Sequence, residues 1–228
     1  MRLLVSPSDI EEAKRSGAAD IIDVKRPAEG SLGANFPWII REIREMSQKP
    51  VSAAIGDFDF KPGCASLAAY GAAHAGADYI KIGLMFDGAD RAGELIRAVV
   101  RAVKEEFPEK FVVISAYSDY ARLGTIPPLV MSPLASAAGA DVAMVDTGIK
   151  DGKSTFEFMT EASLLEFIRM NREGGMQTAI AGSLCFDHLP VLKRINPDII
   201  GVRGMVCGGN RNAMIQEDLV RQLARLVG

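Results

Sequence analysis

The sequence predicts an α/β protein, a (β/α)8 TIM barrel filling residues 1–228 as a single domain. Three observations carry this. Eight short runs rich in Val and Ile alternate with longer helical candidates, the order of a parallel sheet with crossover helices. The runs are continuously apolar rather than alternating, which suits strands covered on both faces. The first turn, Ser6-Pro7-Ser8-Asp9, has no glycine, unlike the first turn of an open doubly wound sheet.

The expected strands are Arg2–Ser6, Asp20–Lys25, Val51–Gly56, Tyr79–Leu84, Phe111–Tyr117, Val142–Gly148, Thr178–Ser183 and Ile199–Gly204. The first helix is expected over Ser8–Arg15, with Ser8 as N-cap and Glu11 at capping-box spacing. Phe36–Met46 follows, carrying Trp38, Ile39 and Ile43 at helical spacing, with Trp38 read as a core or interface anchor. Ser66–Ala75 is alanine-rich. Arg91–Glu106 sets Leu95, Ile96, Val99, Val100 and Val103 on one face. Leu129–Ala138, Glu161–Arg172, His188–Ile195 and Asn212–Leu226 complete the set. A short echo, Gly17-Ala18-Ala19-Asp20, Gly76-Ala77-Asp78 and Gly139-Ala140-Asp141, precedes three of the strands. It reads as the connection from a helix end into a strand.

The chain has 228 residues, 48% apolar and 24% charged, with a net charge of −3. That balance has no broad basic field for nucleic acid or anionic membrane. Three scattered cysteines fit a reducing compartment rather than a disulfide framework. His74 and His188 have no metal-ligand spacing. No leader-like segment or apolar run of membrane length occurs, so a cytoplasmic location is the expectation.

Barrel chemistry belongs at the C-terminal ends of the strands. Strand two ends Asp23-Val24-Lys25, placing a carboxylate and an ammonium two residues apart on one face. Strand four carries Lys81. Strand six ends at Asp146, with Lys150 just beyond. Buried charges of this kind must pair, with each other or with further charges. Clustered, desolvated lysines have depressed pKa values, and a neutral lysine attacks a carbonyl to form an imine. The competing reading is that these lysines act as plain cations for a phosphate or carboxylate. A thiol nucleophile at Cys185 or Cys207 is a distant third, because no histidine is evidently placed to activate either.

A phosphate is expected after strands seven and eight. Gly182 and Ser183 follow the first of these. Arg203 and Gly204 follow the second, with Gly208, Gly209 and Arg211 beyond. Glycines admit backbone N–H groups to an anion, and the next helix start would add its dipole. The loop Arg26–Asn35 after strand two would cover the mouth or give a second anion contact through Ser31 and backbone amides, with a rigid surface loop as the equal alternative. Asp57 and Asp59 read as part of a solvated loop rather than a metal site.

Three long segments resemble the (5-formylfuran-3-yl)methyl phosphate synthase family: Leu3-Leu4-Val5-Ser6-Pro7, then Gly17 to Lys25, then Pro27 to Trp38. The likeness continues through Tyr79–Leu84, Asp146–Gly152 and Ala181–Leu184. Arg26 is the departure, where a smaller polar residue is expected. The resemblance implies a lyase that condenses two glyceraldehyde 3-phosphate molecules for methanofuran biosynthesis. It puts the Schiff-base lysine at Lys25 and the proton-transferring lysine at Lys81. Asp23, Asp146 and Lys150 match further site positions. It implies no metal and no organic cofactor. The expected partners are a triose phosphate substrate and further copies of the chain, with no nucleic acid and no membrane. The alternatives are another class I Schiff-base aldolase acting on a sugar phosphate, or a non-catalytic phosphometabolite-binding barrel.

Overall fold

A computed structural model describes residues 1–228. Eight parallel strands close into a barrel in sequence order. They are β1 (Arg2–Val5), β2 (Ile21–Val24), β3 (Val51–Phe58), β4 (Tyr79–Leu84), β5 (Phe111–Tyr117), β6 (Val142–Asp146), β7 (Gln177–Ile180) and β8 (Ile199–Val202). Between them run α1 (Ile10–Arg15), α2 (Pro37–Met46), α3 (Pro62–His74), α4 (Ala89–Lys104), α5 (Tyr120–Leu123), α6 (Pro128–Ala137), α7 (Thr155–Phe158), α8 (Glu161–Glu173) and α9 (Leu189–Ile195). α10 (Glu217–Val227) closes the chain. The (β/α)8 expectation therefore holds. No helix is long and apolar enough to cross a membrane.

The strand period of two sorts side chains into two cores. One lies inside the barrel and includes Leu4, Ile21, Val113, Val142, Met144, Ala179 and Ile199. The larger one fills the layer between strands and helices. In α4, Leu95, Ile96, Val99, Val100 and Val103 are all buried in that layer. Pro37, Pro62 and Pro128 open α2, α3 and α6, where a missing N–H costs nothing.

The repeated aspartate has a mechanical role. The carboxylates of Asp20, Asp78 and Asp141 accept the backbone N–H of Leu3, Val51 and Val112 at 2.8, 2.8 and 2.7 Å. Each ties the entrance of an even strand to the start of the odd strand before it. Asp198 completes the series by accepting the Thr178 N–H at 2.8 Å. It escaped notice in the sequence because Asn196-Pro197 stands where the others have glycine and alanine.

Four local expectations are corrected. Asp9, not Ser8, caps α1 and accepts the Glu12 N–H; Glu12 reaches back to Ser8. The box is thus shifted by one residue. Trp38 is 61% exposed rather than a core anchor, and stacks on exposed Phe36 at 4.6 Å. The last helix begins at Glu217, not near Asn212. Two short helices, α5 and α7, were not foreseen, although Ser154 and Glu157 form a capping box in sequence as well as in space.

Candidate active site

The C-terminal mouth of the barrel opens into a cavity of about 390 Å³, ordinary for a small-molecule site. Lys25, Lys81, Asp146 and Lys150 line it on one side. Gly182, Ser183, Gly204, Gly209 and Arg211 line the other. Most of the residues singled out from sequence therefore converge.

Asp23 is fully buried, and its carboxylate accepts four hydrogen bonds. Lys81 Nζ donates to both oxygens at 2.7 Å. Ser6 and Ser52 hydroxyls donate one each at 2.7 Å. Burial alone would push this carboxyl up, but the Lys81 ammonium, then Lys25, hold it below the usual range. The charge of Asp23 is thus neutralised by Lys81 on β4, not by Lys25 on its own strand.

Asp146 makes a second pair. Lys150 Nζ donates to it at 2.6 Å and to the Thr147 hydroxyl at 3.0 Å. Burial would raise the Asp146 carboxyl, yet Lys150 and then Lys25 lower it. Both aspartates stay ionised and each holds one ammonium.

Lys25 is left over. It is 6% exposed, and Nζ donates to the Ser31 carbonyl at 3.3 Å. Unlike Lys81 and Lys150, it has no carboxylate within ion-pair distance. Burial pushes its ammonium down from 10.5 to about 7. Asp146 and Asp23 oppose the change, while the Lys150 and Lys81 charges add to it. An amine half-neutral near pH 7 at the wall of a cavity is a competent nucleophile toward a carbonyl.

The anion side is partly as expected. Gly182 takes φ +98° and Ser183 φ +47°. A non-glycine residue in the left-handed region is uncommon, and such strain gathers at ligand-binding turns. Arg211 is half-buried beside the cavity and makes no ion pair, whereas Arg203 is already occupied. Arg203 Nη1 donates to Glu12 at 2.7 Å and to the Ser6 carbonyl at 2.7 Å. Its Nε donates to the Arg211 carbonyl at 2.7 Å. Arg203 also lines the cavity, and with these bonds its guanidinium props the loop that carries Arg211. Glu12 lies 191 positions away in sequence, so no local spacing announces this pairing. Gly208 is exposed and turned from the cavity, toward Gln216. The helix start expected after this loop comes only at Glu217, and the loop itself opens with a 3-10 turn at Gly204–Val206.

Ser31 stands apart from the cavity wall. It is buried, does not line the cavity, and donates from Oγ to the Thr147 carbonyl at 2.8 Å. Cys207 is buried and its thiol is pushed up by desolvation. Cys185 is exposed at the cavity rim, and His188 Nδ1 lies 3.5 Å from its Sγ, a contact not foreseen. The Cys-x-x-His spacing across a tight turn was the available signal.

A sequence model of 4-HFC-P synthase matches residues 3–224. The chain belongs to the 4-HFC-P synthase family. Relatives called (5-formylfuran-3-yl)methyl phosphate synthase bear this out. That of Methanosarcina acetivorans is 59% identical, covering 98% of this chain and 97% of its own. That of Methanocaldococcus jannaschii is 52% identical, covering 99% of both. That of Archaeoglobus fulgidus is 50% identical, covering 100% and 99%. Among solved structures, 3-hexulose-6-phosphate synthase superposes with a TM-score of 0.71 at 18% identity, covering 100% of both chains. Orotidine 5'-monophosphate decarboxylase from Methanocaldococcus jannaschii does so with a TM-score of 0.69 at 16% identity, covering 100% of this chain and 98% of its own. At these identities the two share the fold with this member of the 4-HFC-P synthase family, and the likeness speaks to fold alone. Membership of a synthase family at this identity makes the protein an enzyme.

Proposed function

We propose that this 4-HFC-P synthase family member condenses two glyceraldehyde 3-phosphate molecules into (5-formylfuran-3-yl)methyl phosphate, through an imine on Lys25. The product would feed methanofuran biosynthesis. The reaction is a carbon–oxygen lyase type: one phosphate and two waters leave as the furan closes. The observation that carries the reading is that Lys25, alone among the three lysines at the mouth, has no carboxylate partner, and that burial pushes its own ammonium down to about 7.

The residues divide the work as follows. Neutral Lys25 attacks one triose carbonyl, and water leaves to give the iminium. Its positive nitrogen draws electrons, so the neighbouring carbon loses a proton and becomes an enamine carbon. That carbon attacks the aldehyde of the second triose. Lys81 and Asp23, joined by two hydrogen bonds, exchange a proton between them and serve the carbon. Lys150 and Asp146 form the equivalent pair on the β6 side and serve the oxygen that leaves. Arg211 and the Gly182–Ser183 turn hold a phosphate.

The test is borohydride trapping. The protein is incubated with glyceraldehyde 3-phosphate, reduced, digested and mapped by mass spectrometry. A reduced adduct on Lys25 and a furanic product absorbing in the ultraviolet are expected. Absence of an adduct on any lysine overturns the imine route. An adduct on Lys81 or Lys150 reassigns the nucleophile.

A further inference from the structure

Asp57, at the end of β3, does not line the cavity, yet three elements converge on it. The Leu32 N–H donates to its two oxygens at 3.2 and 3.1 Å. The hydroxyl of Tyr117, fully buried at the end of β5, donates to Oδ1. Two glycines clear the space. A Cβ at Gly83 would run into the Tyr117 hydroxyl and lie 2.9 Å from Asp57 Oδ1; one at Gly30 would overlap Asp57 Oδ2. Gly30 also holds φ +142°. Four residues thus accommodate one carboxylate that takes no part in the cavity wall.

What the carboxylate holds is the loop Arg26–Asn35. Arg26 N–H to the Gly33 carbonyl at 2.8 Å closes the loop on itself. Leu32, buried completely, fixes it to β3 through Asp57. Ser31 fixes it to the segment after β6 through the Thr147 carbonyl. In an eight-strand ring β2 and β6 stand opposite each other, so the loop is a strap across the mouth. The Ser31 carbonyl on its underside meets Lys25 Nζ.

We propose that Asp57, steadied by Tyr117, is a positioning residue for Lys25: it pins the strap so that the Ser31 carbonyl stands against the amine and water is kept off it. This deepens the reading of Lys25 given above and rests on it. The charged groups facing Lys25 are Asp23 on its own strand, Lys81 on β4, and Asp146 and Lys150 at β6. Tyr117 faces Asp57, Asp146 and Asp119. Burial is the largest influence on Lys25 and acts to neutralise it. A loosened strap admits water and moves the amine back toward its ordinary value. Asp57→Asn is the sharp variant. It keeps the shape but replaces one oxygen by an NH2: in one amide orientation the Leu32 N–H loses one of its two acceptors and meets the NH2, and in the other the Tyr117 hydroxyl loses its acceptor.

The experiment titrates Lys25 without substrate. Trace acylation by acetic anhydride is followed against pH, and the Lys25 peptide is quantified by mass spectrometry. The midpoint of the rising limb is read, not the plateau, so altered access does not enter. In wild type the midpoint is expected at about 7. In Asp57→Asn it rises by roughly one pH unit or more, and borohydride trapping at pH 7 falls about fivefold for the first unit and about tenfold for each further one. Tyr117→Phe, which removes one donor and leaves the Leu32 bond, shifts it in the same direction by less. Arg44→Ala breaks a pair with Asp78 below β4, at the other end of the barrel, and serves as control. It lowers the melting temperature without moving the midpoint. A folded Asp57→Asn or, if that variant does not fold, a Tyr117→Phe with an unmoved midpoint overturns the proposal. A wild-type midpoint near 7 without a borohydride adduct on Lys25 overturns the imine reading and leaves the positioning result standing.

Discussion

Asp23 and Lys25 sit two residues apart on one strand and point the same way, yet they do not pair with each other. The Asp23 carboxylate is 2.7 Å from Lys81 Nζ instead. This separation keeps Lys25 available for chemistry. It also makes the Asp23–Lys81 pair a structural liability when half of it is removed. Lys81→Met should destabilise the fold by about 3–5 kcal/mol, because a buried carboxylate loses its counter-charge. Asp23→Asn added to Lys81→Met should recover most of that loss. Urea denaturation of the three proteins at pH 7 checks both statements.

The rate of imine trapping should rise with pH through about 7, since only the neutral amine attacks. Lys25→Arg keeps a positive charge and cannot lose it, so trapping and turnover should fall at least ~100-fold. A single-turnover assay between pH 5.5 and 9 reads the first, and product formation at saturating substrate reads the second.

The same lysine weighs on stability. Its folded pKa, about 7, lies below its unfolded value of 10.5, so the unfolded chain binds more protons between those limits. The cost of burying the ammonium is complete below pH 7 and disappears as pH rises toward 10.5. Lys25→Met should therefore raise the melting temperature more at pH 6 than at pH 9, by a few degrees for each kcal/mol relieved. An equal gain at both pH values would contradict the depressed pKa.

The two arginines after β8 should separate cleanly. Arg203→Met strands the buried Glu12 carboxylate, and a loss of about 3–5 kcal/mol is expected. Arg211→Met should leave stability nearly unchanged and raise KM about 10–100-fold, the range of one or two charge-assisted bonds to phosphate. Melting curves beside initial-rate kinetics distinguish strut from ligand.

Gly182→Ala should damage both folding and binding. Its φ of +98° disfavours a side chain, and a Cβ would lie 2.9 Å from the Thr147 N–H nitrogen and against the Thr155 hydroxyl. A weakened phosphate site is expected, with KM rising more than kcat falls. Unaltered kinetics in this variant would mean that the turn does not touch the substrate.

Much of this architecture is legible in the chain. The strand ends Lys25, Lys81 and Asp146 could be read as one mouth because strand period and barrel closure are local rules repeated eight times. Partners could not be read. Asp23 finds Lys81 58 positions away, Arg203 finds Glu12 191 positions away, and Ser31 finds Thr147 116 positions away. Each choice depends on which strands close against which and on rotamers inside a packed ring. So the Glu12 partner of Arg203 and the Thr147 partner of Ser31 went unseen, and Asp57 was read as loop. Exposure of Trp38 escaped for a related reason: helical spacing tells which face is apolar, not whether a neighbour covers it.

The four aspartates that tie odd strands to even ones lie at the end of the barrel away from the lysines. Each tie closes within one strand–helix–strand unit, over 17 residues for Asp20 and Leu3 and 29 for Asp141 and Val112. Short loops are the cheap ones to close. The base of the ring is therefore sealed in four local quarters, whereas the long-range pairs at the mouth join positions 58 to 191 residues apart. Loss of a long-range pair at the mouth, such as Arg203 with Glu12, is therefore expected to speed unfolding more than it slows refolding, since none of the four quarters needs it to find its register.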